Sequence, residues 1–266
     1  VRRILLPLAV IILALGAFQA FTNFQENTAI HPTALNAKSA AEIRRSLIVS
    51  EVAAAEEARC EIPADLTSLP DEAQKVFAQV MTELPCTLLQ SIRTVEVFSD
   101  PTKPRALSGA FTMKLRADIF PMAEFSAVLL HEFGHVIDLG GLTGTLPAGT
   151  SEFWDGTTPI FENDPSLNFY RISWTDATKR KKGGRSEDFV SGYAMSDPFE
   201  DFAETLVFYR RHGNAFREMM KGNESLEAKY RFFRDQVFSG EEFTGDTQNV
   251  VFTPRPWDAT RVASSK

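Results

Sequence analysis

Four histidines and two cysteines are all that 266 residues contain. Two cysteines permit one intramolecular disulfide at most. No internal repeat and no P-loop occurs. Positive charge is in deficit: the formal net charge is −7, which argues against nucleic acid as a partner. Long apolar runs are missing except for one, Ile4 to Leu15, preceded by Arg2-Arg3. Phenylalanine is abundant instead, at 22 residues, and many recur at the helical spacing of a core.

The N-terminal run has the layout of a secretory signal over residues 1–20, with Ala14 and Gly16 as the small pair before a cut. The run continues through Ala17-Phe18, so an uncleaved membrane anchor through residues 4–20 is the competing expectation. Either reading puts the rest of the chain outside the cytoplasm, in the envelope or secreted. Residues 21–59 read as a linker, a stalk helix or a short pro-segment, and residues 60–266 suit one domain with a substantial core. In an oxidising compartment Cys60 and Cys86 are expected to pair. They flank an expected helix over 69–84 that starts near Pro70-Asp71. A further helix is expected over 223–239 and a polar tail over 240–266. Lys179-Arg180-Lys181-Lys182-Gly183-Gly184-Arg185 reads as a solvated basic loop.

Two of the four histidines fall in one short string, His131-Glu132-Phe133-Gly134-His135. Pro121 suits a first helical turn, Phe125, Val128, Leu129, Val136 and Ile137 make an apolar stripe, and Gly140-Gly141 gives a stop. A helix is therefore expected from about 121 to 139. On it, residues four apart share a face, so His131 and His135 can chelate one divalent ion while Glu132 reaches a water beside it. Gly134 either lets another backbone approach or merely weakens the helix.

A catalytic zinc usually takes three protein ligands and keeps a fourth position open. A third histidine six residues beyond the second is ruled out, because Asp138 and Gly141 stand where that longer motif has other residues. His31 lies in a polar stretch beside Pro32, and His212 follows Arg210-Arg211 like a helix C-terminal residue. Neither is a good ligand candidate. The better source is Tyr193 to Glu204. Asp197-Pro198 reads as a helix start, and Glu200 and Glu204 share a face of that helix. One can bind the metal while the other accepts a hydrogen bond from a ligating histidine. Seen alone, Asp197 and Glu200 read as a capping box. Beside a histidine pair that needs a carboxylate, Glu200 is the expected ligand.

These paired strings resemble the gluzincin-type zinc metallopeptidases, in particular the catalytic domain of anthrax lethal factor and its bacterial relatives. In that group a tyrosine lies seven residues before the glutamate ligand and a second glutamate four residues after it. Tyr193, Glu200 and Glu204 have both spacings. The resemblance spans about residues 105–212, carried by two short windows. It implies that His131, His135 and Glu200 hold one zinc ion, that Glu132 is the general base and that Tyr193 steadies the transition state. Glu204 would orient a ligand.

The expected fold class is α+β and zincin-like: a small mixed sheet, the metal helix and a second helix that supplies Glu200. Strands are expected at 95–98 and 113–117, with 107–111 between them. A strand just before the metal helix either presents a free edge to an extended peptide or is an ordinary covered strand. The expected activity is zinc-dependent hydrolysis of a polypeptide. A peptide- or cell-wall-binding module with a non-catalytic zinc, or hydrolysis of a non-peptide bond, are the other classes the motif permits.

Overall fold

Pro70 opens the first described helix, α1, Asp71–Thr82, in a computed structural model that describes residues 60, 62–119, 121–245 and 254–262. These residues all belong to one compact unit, Arg59–Lys266. The architecture mixes α and β, with small sheets and several helices. The expectations for residues 1–20 and 21–59, and the candidate His31, lie outside the described residues. Among the described residues, no helix is long and apolar enough to cross a membrane.

After the short helix α2, Cys86–Leu89, three strands form the first sheet: β1, Thr94–Phe98, β2, Ala106–Ser108, and β3, Thr112–Arg116. Their order is β1-β3-β2. β1 runs parallel to β3 with Val95 beside Met113, and β2 runs antiparallel to it with Ala106 beside Leu115. Val95, Met113 and Leu115 point into the core. The strand directly before the metal helix is thus β3, which is covered on both sides. The outer strands are β1 and β2, and β1 carries a single bridge to Ala64.

The central helix α3, Met122–Val136, follows. Eleven of its residues are buried, from Phe125 to Val136, so it is enclosed nearly all round rather than amphipathic. The helix expected to run to residue 139 instead widens into a π-turn, Ile137–Gly141. Gly140 and Gly141 accommodate this close packing: a Cβ on either would stand 2.4 Å from a carbonyl oxygen, of Ala110 and Leu88 respectively.

Two hairpins and a helix lead on: β4, Thr150–Asp155, with β5, Thr158–Phe161; then α4, Leu167–Ser173; then β6, Trp174–Asp176, with β7, Lys179–Arg180. The basic stretch expected as a loop therefore begins as a strand, and all seven of its residues are exposed. α5, Pro198–Arg211, packs across α3, and α6, Gly213–Met219, and α7, Glu224–Phe232, complete the layer behind it. The last of these ends in a second π-turn, Phe233–Val237. A fully buried pair, Lys229 Nζ to Asp201 Oδ2 at 2.7 Å, ties α7 to α5, and Trp174 Nε1–H donates to the same carboxylate at 3.0 Å. Residues 254–262 are not the polar tail expected: Ala259 and Thr260 are buried against the domain.

Gly134 marks the crossing of α3 and α5. A Cβ there would meet Ala203 Cα at 2.8 Å and Ala203 Cβ at 3.1 Å. The glycine lets two backbones approach, which costs helix propensity of about 1 kcal/mol. Gly134→Ala should recover that propensity but overpack a contact that backbone cannot yield, at a gross cost of about 1–3 kcal/mol. A net fall in melting temperature is expected in a thermal scan; a rise would show that the helices can separate freely.

Cys60 and Cys86 are joined by a disulfide, their Cα atoms 5.2 Å apart and 26 positions apart in sequence. Such a bond suggests an oxidising, extracytoplasmic environment. Replacing both cysteines by serine should cost about 3–4 kcal/mol on the chain-entropy account. A lower denaturant midpoint is the expected readout, and an unchanged midpoint would mean the bridge constrains nothing that matters.

Candidate metal centre

Helix geometry alone brings His131 and His135 together: their rings lie 4.9 Å apart between centroids, nearly edge to face. Their Nε2 atoms face each other at 3.2 Å. The third member arrives from α5. Asp197 caps that helix by accepting the N–H groups of Phe199, at 3.0 Å, and Glu200, at 2.9 Å. The cap is thus made by Asp197, and the Glu200 side chain turns toward the histidines. Its Oε2 stands 3.1 Å from His131 Nε2 and 3.6 Å from His135 Nε2. That oxygen is buried.

Three potential ligand atoms converge with edges of 3.1, 3.2 and 3.6 Å. They are well matched to an ion. Tetrahedral ligands about 2.0–2.1 Å from a zinc ion stand about 3.3–3.4 Å apart. His131, His135 and Glu200 are the one group of three or more such residues, among those described, whose ligand atoms gather closely enough to hold a metal. Two imidazoles and one carboxylate suit zinc among other divalent ions.

The surroundings fix the donors. Glu204 is fully buried one turn beyond Glu200, and its Oε1 accepts from His131 Nδ1–H at 3.0 Å. That makes Nε2 the His131 nitrogen that faces the cluster and that would bind an ion once its proton is displaced. Glu204 Oε2 accepts from the Ser191 hydroxyl and, at 2.7 Å, from the Ala259 N–H. A carboxylate with no solvent contact is thereby satisfied by three donors. Ser191 and Ala259 escape sequence reasoning, because neither residue type nor spacing marks a hydrogen bond made across 13 or 55 positions.

Tyr193 sits in a single 3₁₀ turn, Tyr193–Met195, just before α5. Its ring stacks on His131, 6.0 Å between centroids, and its hydroxyl donates to Glu200 Oε1 at 2.9 Å. Burial, reinforced by the Glu200 charge, pushes its pKa well up, so the hydroxyl keeps its proton. Glu132 is buried beside the cluster, and its Oε2 has no hydrogen-bond partner among the described residues. His212 caps the C-terminal end of α5 and packs on Phe208, outside the cluster.

A cleft of about 500 Å³ reaches the group at His131 and is lined by Arg105, Ala106, Glu132, Tyr193 and Trp257 among others. Its size suits a ligand of several residues' side chains rather than an ion alone.

Burial opposes a charge on His131, but the carboxylates of Glu200, Glu204 and Glu132 outweigh it and hold the imidazolium well above the ordinary range. Burial likewise opposes ionisation of Glu200, and the two histidines override it and pull its pKa far down. A metal must therefore displace a proton from His131. Zinc affinity should fall as the pH falls, by about tenfold per unit for one displaced proton. Calorimetry in buffers of different ionisation enthalpy would show that proton; a pH-independent affinity would contradict the site.

No protein-family model, no curated protein and no solved structure matches this chain. What stands is the cluster itself, at H-E-x-x-H spacing, with its carboxylate from a second helix.

Proposed function

We propose that this chain is a zinc-dependent endopeptidase that works outside the cytoplasm. The observation that carries this reading is Glu132: a buried carboxylate oxygen without a partner among the described residues, beside a three-residue cluster that could hold a metal and lining a cleft. A site built only to stabilise a fold has no use for such a group, and it would close the fourth position with protein.

His131, His135 and Glu200 would hold the ion. Zinc bound there supplies a Lewis acid and lowers the pKa of water from 15.7 to about 7. The protein's own groups do the rest. Glu132 accepts the proton of the attacking water and returns it to the leaving amine. Tyr193, whose hydroxyl stays protonated, turns from Glu200 to donate to the oxygen that becomes anionic. Glu204 keeps the His131 ring from rotating. The outer strand β2 borders the cleft at Ala106, so an extended polypeptide can add along it through main-chain hydrogen bonds. The motif resemblance to the gluzincins supports the same roles, and the Cys60–Cys86 bond supports an oxidising compartment.

The test is cleavage of a mixed peptide library by the purified protein. Cleavage abolished by a chelator and restored by zinc is expected. Stoichiometric zinc with no cleavage of any peptide would instead support a binding module.

A further inference from the structure

Residues 254–262 pack beside the candidate centre and share the cleft lining with it, and several of their polar contacts bear on it. The Gly192 N–H donates to the Pro256 carbonyl at 2.9 Å and the Tyr193 N–H to the Trp257 carbonyl at 2.6 Å. These two bonds hold the turn that carries Tyr193. Trp257 lies on Gly192 so closely that a Cβ there would stand 2.4 Å from its ring, while the residue is 70% exposed and lines the cleft. Asp258 accepts from the Thr260 N–H at 2.8 Å, and its other oxygen pairs with Arg105 at 2.6 Å. Arg105 also pairs with Glu124 at the start of α3, so the rim of the cleft, the helix and this segment meet at one guanidinium. The buried Ala259 N–H then donates to Glu204 Oε2 at 2.7 Å.

We infer that residues 254–262 are a positioning strap for the centre: the Ala259 N–H holds Glu204, which holds His131, and the carbonyls of Pro256 and Trp257 hold Tyr193. A tail that merely covered apolar surface would need none of these bonds. Glu204 is fully buried, so a lost donor cannot be replaced by bulk water. The strap also supplies Trp257, Asp258 and Arg261 to one wall of the cleft, so the C-terminal segment shapes what the cleft admits. The inference rests on the proposed function only in treating the centre as a metal site; the hydrogen bonds do not depend on it.

Ala259→Pro tests it. Ala259 is the first residue of a 3₁₀ turn, where proline is tolerated, and Asp258, at φ −139° and ψ 120°, already has the backbone that precedes proline. The substitution deletes the N–H and puts a ring carbon against Glu204 Oε2. Ala259→Gly keeps the N–H and is the rescue control. Two readouts are taken on the full chain: exchange of the His131 Nδ1–H proton by NMR without metal, and zinc affinity by chelator competition. The proton should exchange slowly in the parent and in Ala259→Gly and be lost in Ala259→Pro, with zinc affinity down about 10–100-fold in the latter. Retention of both in Ala259→Pro overturns the strap. If the parent takes up no zinc, the metal reading fails, and the proton resonance alone decides the strap by the same comparison. If Ala259→Pro does not fold, Asp258→Asn, which frees the strap from Arg105, is read instead. Faster exchange of the His131 proton supports the inference, and unchanged exchange overturns it.

Discussion

Glu132→Gln is expected to slow peptide hydrolysis by about 10²–10⁴-fold while zinc affinity stays the same. The two carboxylate oxygens of Glu132 do different things from those of its neighbours. Glu200 faces the histidines and Glu204 is saturated by three donors, but Glu132 Oε2 is buried with no hydrogen-bond partner among the described residues. Keeping an unpaired carboxylate oxygen buried costs free energy, and a proton-accepting role explains why the cost persists. Glutamine has the same size and removes only basicity, so packing against α5 should survive. Hydrolysis rates and chelator titrations on the same preparation check this. Undiminished turnover would refute the general-base role, and a parallel loss of zinc would mean that Glu132 holds the site together instead.

Glu200→Gln and Glu204→Gln should separate the two carboxylates of α5. Glu200→Gln replaces an ionised ligand oxygen, so zinc affinity should fall by more than the about 10–100-fold typical of a residue that only orients a ligand. Tyr193 can still donate to the amide oxygen, so the stability lost is that of the Glu200 charge beside the histidines. Glu204→Gln should give that smaller loss of zinc and its own loss of stability. Its oxygens accept from His131, Ser191 and Ala259, and an amide NH₂ would face one of those donors, at a cost of about 1–3 kcal/mol. Zinc titration and denaturant melts of both variants decide it. The opposite pattern, with metal lost in Glu204→Gln and kept in Glu200→Gln, would exchange their roles.

The local parts of this centre are legible in the sequence because they follow from helix periodicity. His131 and His135 meet because they are four apart on α3, and Glu200 and Glu204 share a face for the same reason. The Asp197 cap is likewise written in its neighbour Pro198. What is not legible is made between distant segments. Gly134 could be read as close approach or as weakness until Ala203 was seen against it. The order β1-β3-β2 makes the third strand in sequence the central one, and hydrophobic alternation carries no information about which edge is left free. The strap was missed because Pro256, Trp257 and Ala259 contribute main-chain groups, and a backbone N–H looks the same in every residue. Its side chains also read as polar, which is the pattern of a tail.

The most direct test of the metal centre is diffraction from zinc-loaded crystals with data collected on both sides of the zinc absorption edge. One anomalous peak is predicted, about 2.0–2.2 Å from His131 Nε2, His135 Nε2 and Glu200 Oε2, with a fourth position not filled by protein. A peak elsewhere, a fourth protein ligand, or no peak from protein saturated with zinc would contradict the account.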